Sequence, residues 1–124
     1  MQFVETGLPA MRQPFSWASR AGNLLFTAHG PVDGKGGIAG SGVEEQARLT
    51  FRNLATACAA AGATLGDVAQ VLIYLKEAEH MLAVDAVYRE HFVAPYPNRS
   101  SVVVKDFVHP EMLIEIVAYV DLPS

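Results

Sequence analysis

Two charged side chains near the carboxyl end of the chain have the chemical types and the setting for catalysis or ligand binding. Arg99 begins a strand-like segment, and Glu115 lies inside the apolar run Met112–Val120. A carboxylate in such a run loses its water, which penalises the charged form unless a cation or hydrogen-bond donors replace that water. Arg99 is the nearest candidate partner in sequence. A short loop could set the two strands antiparallel, and a guanidinium holds a carboxylate with two parallel bonds.

This pair of residues has two interpretations. The first is a structural salt bridge inside the core. The second is a pocket in which Arg99 holds an anionic ligand and Glu115 handles a water molecule. The two strands alone favour the salt bridge, because structural ion pairs also perturb charged groups.

Composition indicates one globular domain spanning residues 1–124 and disfavours several classes of partner. Hydrophobic residues make up 51% of the chain, which is enough for a core. The formal charge of −4, without a basic cluster that interleaves aromatic residues, disfavours nucleic acid. A single cysteine, Cys58, cannot form an internal disulfide, and no stretch has the length of a membrane helix or the pattern of a leader. We therefore expect a soluble cytoplasmic protein with no nucleic-acid or membrane partner.

Hydrophobic periodicity predicts five strands and two helices. In chain order these are strands over Phe15–Arg20 and Asn23–Ala28, a helix from a Ser41–Glu44 capping box to Gly62, a strand over Val68–Leu75, a helix over Met81–Val93, and two strands around Arg99 and Glu115. The order is typical of an α+β fold in which a single sheet carries both helices on one face. We expect Val68–Leu75 to lie centrally in that sheet, because it is apolar almost throughout.

The final strand is apolar on both faces. Alternation places Ile114 and Ile116 on one face and Val117 and Tyr119 on the other. Two helices can cover only one face of the sheet, so the other face needs a cover that the chain does not supply. This pattern favours self-association.

Two other patterns do not predict chemistry. The glycine-rich turn Asp33–Gly37 lacks the Gly-Lys-Ser/Thr ending of a phosphate-binding loop. His80, His91 and His109 lie in different predicted elements and show no ligand spacing, so we expect no metal site.

Short segments along nearly the whole chain resemble, in order, the RidA/YjgF family of enamine and imine deaminases. The matching segments are Pro14–Ser16, Gly22–Phe26, Gly30–Asp33, Glu44–Arg48, Asn53–Leu54, Ala60–Ala63, Asp67–Val68, Arg99–Ser100 and Ile114–Ile116. The last two are similar to the family's Arg-Ser substrate clamp and Ile-Glu-Ile strand. The number of matches in the expected order identifies the chain as a divergent member.

The resemblance implies a chorismate-mutase-like α+β fold that assembles into a homotrimer, a trimeric barrel with pockets between neighbouring subunits. It also implies hydrolysis of small, reactive carboxylate substrates without metal or organic cofactor. These substrates are enamines and imines such as 2-aminoacrylate, 2-iminobutanoate and 2-iminopropanoate, and the products are 2-keto acids and ammonia. The alternative is a non-catalytic protein that binds a small carboxylate metabolite in the same pocket. Ribonuclease or translation-inhibitor activity, a label that some members carry, is disfavoured by the acidic charge.

By this resemblance, Arg99 and Glu115 are the catalytic residues. Arg99 would grip the substrate carboxylate and fix the imino carbon, and Glu115 would orient water toward that carbon. The family match therefore favours the pocket over the structural salt bridge. The positions expected to bind substrate are Phe15, Ala28, His29, Gly30, Asp85 and Ser101.

Phe15, Ser101 and Asp85 depart from the family pattern. Phe15 stands where the family has a tyrosine, so a hydroxyl group is missing. Ser101 stands in place of a cysteine, so no thiol reactivity is expected there. Asp85 stands in place of an asparagine. In the pocket its charge would oppose an anionic substrate or pair with Arg99, whereas facing water it would be a helix-surface charge.

His29 and the end of the chain also depart from the pattern. His29 stands where glycine or glutamine is expected. It could titrate near neutral pH, although we favour a solvated or hydrogen-bonded loop histidine. Val117 replaces a second glutamate, and the extra residue between Arg99 and Glu115 predicts a longer loop or a bulge near Val108–Pro110.

Overall fold

Two helices pack on one face of a six-stranded sheet in the computed structural model, which describes residues 1–124. The elements in chain order are β1 (Gln2–Phe3), β2 (Ala18–Ala21), β3 (Leu24–His29), α1 (Val43–Ala60), β4 (Val68–Leu75), α2 (Met81–His91), β5 (Asn98–Val103) and β6 (Ile114–Asp121). The predicted α+β class and element order are confirmed, and the short strand β1 is an addition. No helix is both long and apolar enough to cross a membrane.

The sheet order is β1-β2-β3-β6-β4-β5, and all neighbours are antiparallel except β4 and β5. Strand β4 therefore lies inside the sheet, as predicted. The predicted antiparallel pairing of the last two strands is wrong, because β6 inserts between β3 and β4 whereas β5 forms the far edge. The connection over residues 104–113 carries the chain across β4, and Val108 within it is 98% exposed. Val108–Pro110, where a longer loop or a bulge is predicted, lie within this loop.

Helix α1 supplies much of the core. Its apolar stripe, with residues spaced by four, three and four positions, is completely buried at Ala47, Phe51, Leu54 and Cys58. A stripe with this helical spacing faces the sheet along its whole length and removes its apolar surface from water. On α2, too, one face of the helix is buried, at Val84, Val87 and Tyr88.

The ends of α1 differ in one detail from the sequence pattern. The helix begins at Val43 with Gly42 as its N-cap, and no side chain caps it. The carboxylate that accepts from Ser41 is Glu45, with Ser41 N at 3.0 Å and Ser41 Oγ at 3.2 Å, so the predicted Ser41–Glu44 capping box is wrong. The predicted stop is confirmed, because Gly62 adopts a φ of 79° just after the helix, a conformation that favours glycine.

The face of the sheet opposite the helices remains partly uncovered in a single chain. This open face includes Leu24, Phe26, Val102, Val117 and Tyr119. Leu24 is 43% exposed, Phe26 39% and Val102 48%. Within one chain, only the helix side of β6 is fully buried. The open face is an apolar surface that another chain could cover.

Candidate active site

Arg99 points to the helix side of the sheet at its outer edge. It is paired with Val71 of β4, and residues paired across parallel strands share a face. Its Nη2 donates a 2.7 Å hydrogen bond to Asp85 Oδ1 on α2, and its guanidinium carbon lies 4.8 Å from the centre of the Tyr88 ring. The partner of Arg99 within the chain is therefore Asp85, which is one of the arrangements expected for that aspartate.

A cavity of about 270 Å³ opens beside this ion pair. Its lining consists of Asp85, Tyr88, Arg89, Tyr96, Pro97 and Arg99. The Nε and Nη1 atoms of Arg99 have no hydrogen-bond partner within the chain, and the buried Tyr88 hydroxyl has none either. Burial raises the pKa of Tyr88 above its ordinary value, against the opposing charge of Arg99. The cavity thus presents cationic N–H groups of Arg99 to a small polar ligand, beside the ring of a neutral Tyr88.

Glu115 lies on the open face of the sheet. It is paired with Tyr74 of β4, and its neighbours Ile114 and Ile116 face the helices. The carboxylate is half-buried, forms no hydrogen bond or ion pair within the chain, and has a pKa raised by burial. The predicted compensation by Arg99 is wrong within one chain, because β4 separates the two strands and the side chains project from opposite faces.

The end of β3 runs beside Glu115. Ala28 is paired with Val117 and exposed on the open face, and the next residue but one, Gly30, is buried. A Cβ atom at Gly30 would lie 2.9 Å from Met112 Cε. The two segments are therefore in close contact where β3 ends and β6 begins.

Phe15 and Ser101 are placed in different parts of the site. Phe15 is 50% exposed and packs edge-on against Trp17, with ring centroids 4.7 Å apart, and Trp17 in turn stacks on His29. Phe15 is thus connected to the end of β3. Ser101 is exposed on β5, two residues beyond Arg99 and on the same side of the strand.

His29 is not the loop histidine that the sequence favoured. It is the last residue of β3 and is 1% exposed, and neither ring nitrogen has a hydrogen-bond partner. Burial lowers its pKa to about 3, so it does not titrate near neutral pH. The reason is that β3 extends one residue further than predicted, and strand alternation turns this ring inward against Trp17. Only the backbone at this position can line a pocket.

Two buried amides on α1 were not recognised from the sequence. Asn53 Nδ2 donates to the carbonyl oxygens of Gly30 at 3.0 Å and Val32 at 2.9 Å. Gln46 Nε2 donates to Glu111 O at 2.9 Å, and Gln46 Oε1 accepts from Leu113 N at 2.8 Å. These side chains fix the chain after β3 and before β6. Their spacing of seven residues, two helical turns, was the available signal.

The predicted site residues thus form two groups in one chain. The Arg99 group, on the helix side of the sheet edge, consists of Arg99, Asp85 and Ser101. The Glu115 group, at the adjoining ends of β3 and β6, consists of Ala28, Gly30 and Glu115. Phe15 is linked to the end of β3 only through Trp17 and His29. No group of three or more His, Cys, Asp or Glu side chains is arranged to hold a metal ion.

Residues 6–122 match the family model described as endoribonuclease L-PSP, which represents the RidA/YjgF proteins. This chain belongs to the RidA/YjgF family. A RutC family protein from Pyrococcus horikoshii is 37% identical over 107 residues, which cover 85% of this chain and 84% of the relative. The 2-iminobutanoate/2-iminopropanoate deaminase of Salmonella typhimurium is 31% identical over 98 residues, which cover 76% of this chain and 77% of that enzyme.

The crystal structure of E. coli TdcF with bound serine has the RidA/YjgF fold of this chain. It superposes with a TM-score of 0.88 at 27% identity, over 100% of both chains. The fold class expected from the resemblance, with two helices on one face of a single mixed sheet, is therefore confirmed.

Proposed function

We propose that this protein hydrolyses reactive enamine or imine intermediates, 2-aminoacrylate or 2-imino acids, to 2-keto acids and ammonia. The observation that carries the proposal is the cavity in which Arg99 presents unpartnered Nε and Nη1 groups beside the Tyr88 ring. A planar guanidinium suits a substrate carboxylate. The name of the Salmonella relative, a 2-iminobutanoate/2-iminopropanoate deaminase, supports the same substrate class.

The complete site in this proposal is shared between copies of the chain, in a homotrimer. The Arg99 group of one subunit meets the Glu115 group of its neighbour. Two features support this assembly: the apolar open face has no cover, and Glu115 has no compensating partner within its own chain. A second chain would cover the face and bring donors to the carboxylate.

Each group has a distinct part in the reaction. Arg99 binds the carboxylate and fixes the imino carbon in one place. Glu115 accepts a hydrogen bond from a water molecule and directs it to the C=N carbon, and the proton released by the water passes to the nitrogen. In the carbinolamine that results, the hydroxyl proton also passes to the amino group, and ammonia departs as the carbon–oxygen double bond forms. An enamine enters this reaction as its imine tautomer. Burial raises the pKa of Glu115, which brings this carboxyl closer to the range in which it can carry that proton at neutral pH.

Release of ammonia or 2-keto acid from 2-imino acids tests the proposal. The imines are generated in situ by an amino-acid oxidase, and wild type is compared with Arg99→Ala and Glu115→Ala. We expect wild type to accelerate hydrolysis and both variants to lose the acceleration. Arg52→Ala, which removes an exposed cation on α1, is the matched control and should retain activity.

A non-catalytic binding protein for a small carboxylate metabolite is the second candidate. Two observations favour it: Phe15 offers no hydroxyl, and Asp85 already occupies one Arg99 donor. Binding of 2-keto acids that Arg99→Ala abolishes, without acceleration of imine hydrolysis by wild type, would support this candidate over the enzyme.

A further inference from the structure

We propose that Asp85 makes the Arg99 cavity select ligands with a cationic nitrogen next to their carboxylate over ligands with the carboxylate alone. This selectivity rests on the proposed function, because it concerns the cavity that would receive the substrate. The ligands favoured are protonated 2-imino acids and 2-amino acids, and those disfavoured are 2-keto acids.

The ion pair belongs to the cavity itself. Both Asp85 and Arg99 line it, and their side chains are 25% and 26% exposed. The contact is a single hydrogen bond from Nη2 to Oδ1, so Asp85 does not occupy the whole guanidinium. The Oδ2 atom of Asp85 accepts no hydrogen bond within the chain. A donor and an acceptor of opposite charge therefore remain available side by side.

A ligand carboxylate on the free donors of Arg99 would lie close to the Asp85 carboxylate. Two like charges on one guanidinium repel each other, and partial burial limits the screening of that repulsion by water. A ligand that carries only a carboxylate bears this penalty in full. Asp85 is the one acidic side chain in the lining of this cavity within one chain, where the other charged groups are Arg89 and Arg99.

A cationic nitrogen on the carbon next to the carboxylate reverses the sign of this interaction. When the ligand carboxylate is bound to Arg99, such a nitrogen can donate to Asp85 Oδ2. The positive groups, Arg99 and the ligand nitrogen, then alternate with the negative ones, the ligand carboxylate and Asp85. The protonated C=N group of a 2-imino acid has this form, and the C=O group of the product does not. Asp85 thus retains the substrate and weakens the binding of the 2-keto acid after hydrolysis.

Calorimetric titration with two stable ligands of equal carbon skeleton tests the selectivity. The probes are 2-aminobutanoate, a zwitterion at neutral pH, and 2-oxobutanoate, an anion. We expect wild type to bind the zwitterion about tenfold more tightly, and Asp85→Asn to reduce that ratio about tenfold by tightening 2-oxobutanoate binding and weakening 2-aminobutanoate binding. Arg99→Ala should weaken both, which locates binding in this cavity.

Glu79→Gln is the matched control. It removes one negative charge from an exposed position that precedes α2 and does not line the cavity, so the binding ratio should not change. The proposal is overturned if Asp85→Asn leaves the ratio unaltered, weakens both ligands equally, or if wild type binds neither ligand.

Imine turnover measured on the same preparations separates this selectivity from the proposed function. Turnover by wild type with an unaltered ratio in Asp85→Asn rejects the role of Asp85 and leaves the deaminase intact. An altered ratio without turnover rejects the deaminase and retains the selectivity.

Discussion

The Arg99 guanidinium and the Glu115 carboxylate lie on opposite faces of the sheet, with strand β4 between their strands. Each therefore has a different environment. Arg99 contacts Asp85 and Tyr88 beside a cavity. Glu115 has no polar partner and lies on an apolar face. A site that uses both residues requires a second copy of the chain, and this requirement determines the first prediction.

Placing a charge on the open face should dissociate the assembly. Phe26 is 39% exposed and packs edge-on against Tyr119, with ring centroids 5.5 Å apart. We expect wild type to have the mass of a trimer in light scattering and Phe26→Asp to be smaller, because burying an unpaired carboxylate in an apolar contact is costly. The variant should also lose imine hydrolysis while its circular dichroism remains that of a folded chain.

Leu82→Asp is the control for that experiment. Leu82 is 84% exposed on α2, on the helix side of the sheet. This variant should remain a trimer with normal activity. A wild-type monomer that still accelerates imine hydrolysis would contradict the shared site.

Restoring a hydroxyl at Phe15 should increase turnover. The ring is 50% exposed, so a para hydroxyl can point away from Trp17 without displacing it. One added hydrogen bond to water or substrate in the transition state corresponds to about 1 kcal/mol, which is roughly a fivefold gain in kcat/KM for Phe15→Tyr. Phe3→Tyr, a change at a 63% exposed ring in β1, should have no effect. An unchanged or lower kcat/KM in Phe15→Tyr would show that this hydroxyl has no part in the reaction.

The burial of His29 should make folding sensitive to mild acid. Its pKa is lowered from 6.5 to about 3 by burial, so below pH 6.5 the unfolded chain binds a proton that the folded chain does not. The contribution of this group to the free energy of unfolding therefore falls as pH decreases from 6.5 toward 3, by about 1.4 kcal/mol per pH unit at most.

Urea unfolding at a series of pH values and constant protein concentration measures this loss. His29→Leu should have a shallower decline than wild type over that range, and His109→Leu, a change at an exposed loop residue, should retain the wild-type slope. Equal slopes for wild type and His29→Leu would contradict this prediction, because they would mean that folding does not lower the pKa of His29.

Loss of the Asn53 amide should destabilise the chain after β3. Its Nδ2 supplies hydrogen bonds to the carbonyl oxygens of Gly30 and Val32, both in buried residues. Asn53→Ala leaves those acceptors without this donor, and we expect the free energy of unfolding to fall by about 2 kcal/mol. Asn23→Ala, in the exposed turn of the β2–β3 hairpin, should cost much less. A loss in Asn53→Ala no greater than that of Asn23→Ala would contradict the role of this amide.

Local sequence patterns were sufficient to predict most of the helices and strands that form the fold. The stripe Ala47, Phe51, Leu54 and Cys58 recurs with the period of a helix, and each member is completely buried. The side chains of β6 alternate between the two faces of the sheet, and every second one is buried against the helices. These patterns arise from backbone geometry, which is the same wherever the segment lies in the molecule, so they can be recognised without knowledge of its neighbours.

The sequence by itself determined the helices, most strands, the family, and the two residues, Arg99 and Glu115, on which the proposed chemistry depends. Only the tertiary structure decided their partners. Strand order and side-chain environments depend on contacts between residues distant in sequence, which no local periodicity specifies. For that reason, the insertion of β6 beside β4 separates Glu115 from Arg99. The packing of α2 against the sheet edge makes Asp85 the ion-pair partner of Arg99. The extension of β3 by one residue buries His29.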